Sequence, residues 1–239
     1  MTNLEIRQEQ FNAAMKSYEE SAAYKLLDKS VSIANITLQI FLLYRAMPLS
    51  IGAWWQIAAL FAAYLLADFI NGLIHMYMDK HDDYESLAGP LIAKFHLHHK
   101  TPRYEDNNVI VVYVNETGSK VWLVFYLAAV VMLTYVPGVN HVFLYVLIYV
   151  GVLSSVAEVS HYLCHNSNST AAIFLMRIGL LLPKKRHALH HLEDNVNYSF
   201  LNGVSNPLVN FIAKRCSCGY KNGTDLHFAK YSAENKSRT

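Results

Sequence analysis

Apolar residues gather into four long runs, at about 31–47, 51–74, 121–136 and 142–159. Each comes close to, or exceeds, the roughly 20 residues a helix needs to cross a bilayer. Only Pro48-Leu-Ser separates the first two, which predicts an antiparallel helical hairpin. Pro137-Gly138 ends the third run and the fourth follows directly. Residues 171–182 are also apolar but carry Arg177 and are too short to span. They predict a segment lying in the interface, as do 206–212. Residues 1–30 are polar, with Leu4, Phe11, Met15 and Tyr18 at loosely helical spacing. They read as a lead on the membrane surface, without the compact apolar core of a signal peptide. The expected fold is an all-α integral membrane protein of about four transmembrane helices with a histidine-rich helical cap. Its organisation is a polar lead at 1–30, a membrane-embedded domain at 31–215 and a polar tail at 216–239.

Lysine and arginine set the expected orientation. Only Arg45 lies near the turns at 46–50 and 137–141. Lys25, Lys29, Lys80, Lys94, Lys120 and the run Lys184-Lys185-Arg186 fall on the other side. Both termini and the cap are therefore expected in the cytosol, at a bacterial inner membrane or the endoplasmic reticulum. A net charge of +2 is too small to suggest nucleic acid as a partner. Cys164, Cys216 and Cys218 do not form a disulfide framework, and Cys216-Ser-Cys218 alone is a weak metal signal. Trp54, Trp55, Trp122, Tyr44, Tyr126 and Tyr145 fit interfacial anchoring or lipid contact.

That orientation brings ten histidines to one membrane face. His75 and His81 end the second span, and His96, His98 and His99 follow in the loop. His161 and His165 end the fourth span, and His187, His190 and His191 follow it. His141 and His227 fall elsewhere and are read as surface residues. Neutral imidazole is the commonest metal ligand. The most favoured set is His75, His98, His99, His161, His165, His187, His190 and His191. Eight imidazoles exceed the four ligands of one tetrahedral zinc and suit two ions. Imidazole accepts zinc, copper, iron or nickel, and a lipid-side redox setting favours iron.

Asp68, Asp79, His81, His96, Glu158 and Asn195 stand as further ligands or as supports for ligands. Asp68, Gly72, His75 and Asp79 share one helical face. Asp68, an acid inside a span, reads either as the partner of a ligating imidazole or as a helix-to-helix hydrogen bond. Asp79 reads as a loop-lysine partner or a ligand, and Gly72 as a site of close helix approach. Glu158-x-x-His161 resembles half of the soluble di-iron bundle element, without a second copy.

Together these motifs resemble the histidine-rich di-iron membrane enzymes, and most closely the Kua/CarF-like lipid desaturase family. The resemblance rests on Asp68-x3-Gly72-x2-His75 with Asp79, and on His98-His99-x-x-Pro102. It rests equally on His161-x3-His165 and on Leu182-Pro183 followed by His187-x-x-His190-His191. It covers about residues 50–215. Met76, Arg186 and Asn195 stand where the family often has Trp, His and His. The resemblance implies two irons, dioxygen as co-substrate, and a double bond introduced into a lipid acyl or ether-linked chain. It also implies an external electron donor, cytochrome b5-like or a ferredoxin, since the sequence shows no haem or iron–sulfur motif. Two other readings remain at this stage: a lipid hydroxylase on the same scaffold, and a membrane zinc carrier or sensor.

Overall fold

The structure is a computed structural model that describes residues 3–100, 107–193 and 195–216. Cys218, His227 and Pro102 lie outside the described residues. All ten regular elements among those described are helices, and no strand occurs there. Three helices are long and apolar enough to cross a membrane: α2 (Ala22–Ala46), α3 (Ala53–Lys80) and α7 (His141–Asn166). A fourth crossing exists if α5 (Val109–Thr117) and α6 (Val121–Leu133) count as one broken span, bent by 86°.

The spans reach further than the apolar runs alone predict. At 1.5 Å per residue α3 is about 42 Å long and α7 about 39 Å, against a hydrocarbon core of about 30 Å. Their last turns therefore project beyond the lipid, and those turns carry the histidines. Residues 22–30, expected within the polar lead, form the start of α2.

α3 and α7 form the central pair. Every fourth residue of α3 faces inward: Ala59, Ala63, Ala67, Asn71, His75 and Asp79 are each at most 2% exposed. Such a row is one packing ridge of a helix. Its small upper members let α7 approach closely, and its lower members are polar. Asn71 donates to Ser154 Oγ on α7 at 3.0 Å. On the other side of α7, Gly151 lies against Leu127 of α6, where an added Cβ would be 2.5 Å from Leu127 Cδ2. Tyr145, expected to anchor at the interface, is buried, and its hydroxyl donates to the Ala46 and Leu49 carbonyls of the α2–α3 turn at 2.7 and 3.0 Å.

The third run forms a helix that is short for a span by itself. α6 has only 13 residues, and α5 precedes it at a steep angle. The carbonyls at the Thr117–Lys120 break keep one turn bond each and have a second lone pair, which hydrocarbon cannot solvate. Asn35 of α2 satisfies two of them, donating to Thr117 and Lys120 at 3.3 and 3.1 Å. Gln39, one turn on, donates to Ser155 Oγ at 2.9 Å.

Five shorter helices complete the cap end. α1 (Asn3–Glu20) buries Phe11, Ala14 and Met15 against Tyr84 and Ala93, so its apolar face meets protein rather than lipid. Ala93 belongs to α4 (Gly89–Lys100), which carries His98 and His99. α8 (Thr170–Arg177) buries Ala172 and Met176 and exposes Ile173 and Phe174. α9 (Lys184–Leu192) carries the last three histidines. α10 (Asn206–Cys216) buries Val209 and Ala213 and exposes Leu208 and Phe211. The exposed faces of α8 and α10 suit the interface expected of both segments.

Candidate metal centre

Four helices converge where α3 and α7 leave the lipid. α3 supplies His75 and Asp79, α4 His98 and His99, α7 His161 and His165, and α9 His187, His190 and His191. All eight favoured histidines meet there, seven of them in two adjoining groups. His161, His165, His187 and His191 form the first, and His75, Asp79, His99 and His190 the second. Within each group the candidate ligand atoms lie within 4.8 Å of one another. His98 sits between the groups with His99 and His191.

The first group cannot be explained by hydrogen bonds alone. His187 Nε2 lies 2.9 Å from His161 Nε2, 2.7 Å from His165 Nε2 and 2.8 Å from His191 Nε2. One imidazole nitrogen offers a single hydrogen or a single lone pair, so three such contacts cannot all be hydrogen bonds. Ligand nitrogens about 2.1 Å from a shared ion lie about 3.0 to 3.4 Å apart, close to these separations. A metal therefore fits where protons do not.

The second group has its tautomers fixed by backbone. His75 Nδ1 lies 2.9 Å from the Tyr198 carbonyl and His190 Nδ1 lies 3.0 Å from the Val196 carbonyl. A carbonyl only accepts, so each Nδ1 carries the hydrogen and each Nε2 keeps its lone pair. Those lone pairs face a carboxylate: His75 Nε2 and His190 Nε2 lie 3.4 and 3.3 Å from Asp79 Oδ2. His99 Nε2 lies 3.2 Å from Asp79 Oδ1. Acceptors aimed at acceptors repel unless a cation lies between them. Neither Asp79 oxygen nor His75 Nε2 has a hydrogen-bond partner among the described residues, although all are buried. His98 repeats the pattern, with Nδ1 2.6 Å from the Phe95 carbonyl and a buried Nε2 without a hydrogen-bond partner among the described residues.

The electrostatics favour neutral imidazole. Burial, then the neighbouring imidazoles of His161 and His191, hold His187 well below the usual imidazole range. Burial chiefly lowers His191 as well, and it brings His98 down to about 4. Neutral rings are the form that ligates.

Other expected residues fall outside the two groups. His96 uses both nitrogens, 2.8 Å from the Tyr84 hydroxyl and 3.0 Å from the Met78 carbonyl. His81 bonds the Tyr77 carbonyl at 2.7 Å and lies over the Tyr77 ring. Asn195 adopts φ +57 and accepts from the Tyr198 hydroxyl at 3.4 Å. Glu158 pairs with Lys120 at 2.8 Å and lies 3.9 Å from His161 Nδ1. Asp79 faces three imidazoles, which groups it with the candidate ligands.

Asp68 bonds a loop rather than an imidazole among the described residues. Fully buried, it accepts from the backbone of Leu201, Asn202 and Gly203 at 3.0 to 3.1 Å through Oδ1. Its Oδ2 accepts from Ser205 N and Oγ at 2.9 and 2.6 Å. It thus ties down the loop that delivers the Tyr198 carbonyl to His75. Gly72 serves the same loop rather than a helix: a Cβ there would lie 2.3 Å from Ser199 Oγ. Gly72→Ala is expected to push this loop away, lowering stability by roughly 1–3 kcal/mol and weakening metal retention. A thermal melt in detergent with metal analysis checks this; an unchanged midpoint contradicts the close approach.

Three contributors escape sequence reasoning. Lys120 is a buried cation at the α5–α6 break, donating to Asn71 Oδ1 at 2.6 Å besides pairing with Glu158. Phe95 and Phe200 set their rings 5.5 and 5.3 Å from that of His75, walling it from water. Both phenylalanines look like ordinary apolar positions in the sequence.

Residues 64–213, more than half the chain, match the lipid desaturase domain. The chain belongs to the lipid desaturase family. It is also similar to the plasmanylethanolamine desaturase of Myxococcus xanthus, at 24% identity over 199 residues, covering 81% of this chain and 69% of that protein. No solved structure matches this chain. The desaturase family domain contains α7, α8 and α9 whole and begins within α3, so it encloses every residue of both groups. Family membership and the apolar helices agree on a multi-pass membrane oxidoreductase of lipids.

Proposed function

We propose that this protein is an O2-dependent lipid desaturase with a non-haem di-iron centre, forming a double bond in an acyl or ether-linked chain. The observation that carries the reading is the pair of adjoining four-ligand groups at one end of the bundle. Histidine with one carboxylate and no thiolate suits iron. Cys164 is packed in an apolar cluster with Ala67, Ala157 and Leu201. Two bound irons would supply the activation of dioxygen that removes hydrogen from an unreactive C–H bond.

The protein's own residues prepare that site. The carbonyls of Tyr198, Val196 and Phe95 hold three imidazoles in the ligating tautomer. Phe95, Phe200 and the Tyr198 ring surround His75 and keep water away. Electrons come from an external donor, a cytochrome b5-like protein or a ferredoxin. Lys184 and Lys185, at the start of α9, give an acidic donor a cationic landing point. The excess of lysine and arginine at this end supports a cytosolic centre and cytosolic termini.

His187→Ala and His161→Ala are each expected to lower turnover by at least about a hundredfold without disturbing membrane insertion. Retained turnover in either variant contradicts the ligand assignment. Lipid mass spectrometry of cells with and without the protein tests the reaction itself. The expected product is two hydrogens lighter than its substrate, whereas a product heavier by one oxygen assigns a hydroxylase.

A further inference from the structure

The break between α5 and α6 brings a lysine into the bundle. Lys120, the residue before α6, is only 4% exposed. A cation buried among apolar spans is costly and usually marks function. Its backbone carbonyl accepts from Asn35 of α2 at 3.1 Å. Its ammonium is held by two other helices. Nζ donates to Asn71 Oδ1 of α3 at 2.6 Å and lies 2.8 Å from Glu158 Oε1 of α7. It also lies 5.0 Å from the centre of the Phe200 ring. Asn71 turns its oxygen to the ammonium because its Nδ2 donates to the Ala67 carbonyl and to Ser154 Oγ, at 2.7 and 3.0 Å. The ammonium thus meets a carboxylate, an amide oxygen and an aromatic face.

Glu158 stands one turn before His161 on α7. His161 turns Nε2 toward the first group, 2.9 Å from His187 Nε2 and 3.2 Å from His165 Nε2. Its Nδ1 lies 3.9 Å from Glu158 Oε2, an electrostatic contact rather than a hydrogen bond. A lone pair at Nδ1 would be repelled by that carboxylate. The hydrogen is therefore favoured there, which leaves the lone pair at Nε2. His75, His98 and His190 take the same tautomer from backbone carbonyls. His161 takes it from a charge. Stability is a weak reason for such a pair, because the cost of desolvating two buried charges offsets their attraction.

We propose that Lys120 and Glu158 are a positioning pair for the first metal. Glu158 holds His161 in the ligating tautomer, and Lys120 keeps Glu158 from becoming a ligand itself. The proposal rests on the metal-centre reading. It makes the two ions unlike: the first keeps four neutral imidazoles, whereas the second has the Asp79 carboxylate. Lys120 reaches the centre from outside it, which gives the α5–α6 break a purpose beyond packing.

The test is titration of the metal-free, full-length protein in detergent with Co2+, whose visible absorption reports ligand type and number. The unaltered protein is expected to take two ions. In Lys120→Met/Glu158→Leu, one ion should bind about ten- to a hundredfold more weakly and the other within about twofold of its former affinity. Lys120→Met alone should free the Glu158 carboxylate to join the first ion, changing its absorption to that of a five-coordinate site. Lys120→Arg should restore the unaltered titration and spectrum. The double variant leaves no charge alone, so it decides even where Lys120→Met fails to fold. A purely structural pair would lower the melt midpoint of the metal-free protein and weaken both ions alike, and that result overturns the proposal. An unchanged titration in the double variant also overturns it, as does an unchanged spectrum in folded Lys120→Met. No cobalt bound by the unaltered protein counts against the metal centre itself, whereas two ions bound alike in every variant counts against the pair alone.

Discussion

Asp79→Asn is expected to reduce the iron content to about one per chain and to lower desaturation by at least about a hundredfold, with the protein still in the membrane. The amide keeps the size of the carboxylate but not its charge. Asp79 is the one carboxylate among the grouped donors, set 3.2 to 3.4 Å from three imidazole nitrogens. Without it, His75, His99 and His190 face an amide that donates as well as accepts, and the second ion loses its anionic ligand. The first group has only imidazoles and should keep its metal. Metal analysis and membrane flotation of the purified variant check this. Full iron content with full activity would remove Asp79 from the ligand set.

Asp68→Asn should act differently, although the two acids sit three turns apart on one helix. It is expected to destabilise the protein by roughly 2–4 kcal/mol and to open the 195–205 loop to proteolysis. The carboxylate accepts five hydrogen bonds from that loop. An amide in its place turns one acceptor into a donor aimed at Ser205 N–H. Iron should be lost secondarily, as the Tyr198 carbonyl leaves His75. A melt midpoint equal to that of the unaltered protein would mean that Asp68 does not hold the loop.

These two residues mark what the sequence makes legible. Spacing alone places Asp68, His75 and Asp79 on one face of α3, because a helix brings residues three and four apart together. The same rule pairs His161 with His165 and His187 with His191, and both pairs fall in one group. Spacing could not assign His190 to the other group, since that depends on how α9 is set against α3 and α4. Nor could it find the partner of Asp68, whose first acceptor contact lies 133 residues further along. The bend before α6 was hidden for a related reason. The angle between α5 and α6 depends on another helix, whose Asn35 bonds the carbonyls at the break.

The measurement closest to the central claim is the metal content of protein purified from cells without added metal. About two irons per polypeptide, falling to about one in Asp79→Asn, is the result expected of two adjoining centres. One zinc per polypeptide with no iron would contradict it and point to a metal carrier built on the same histidines.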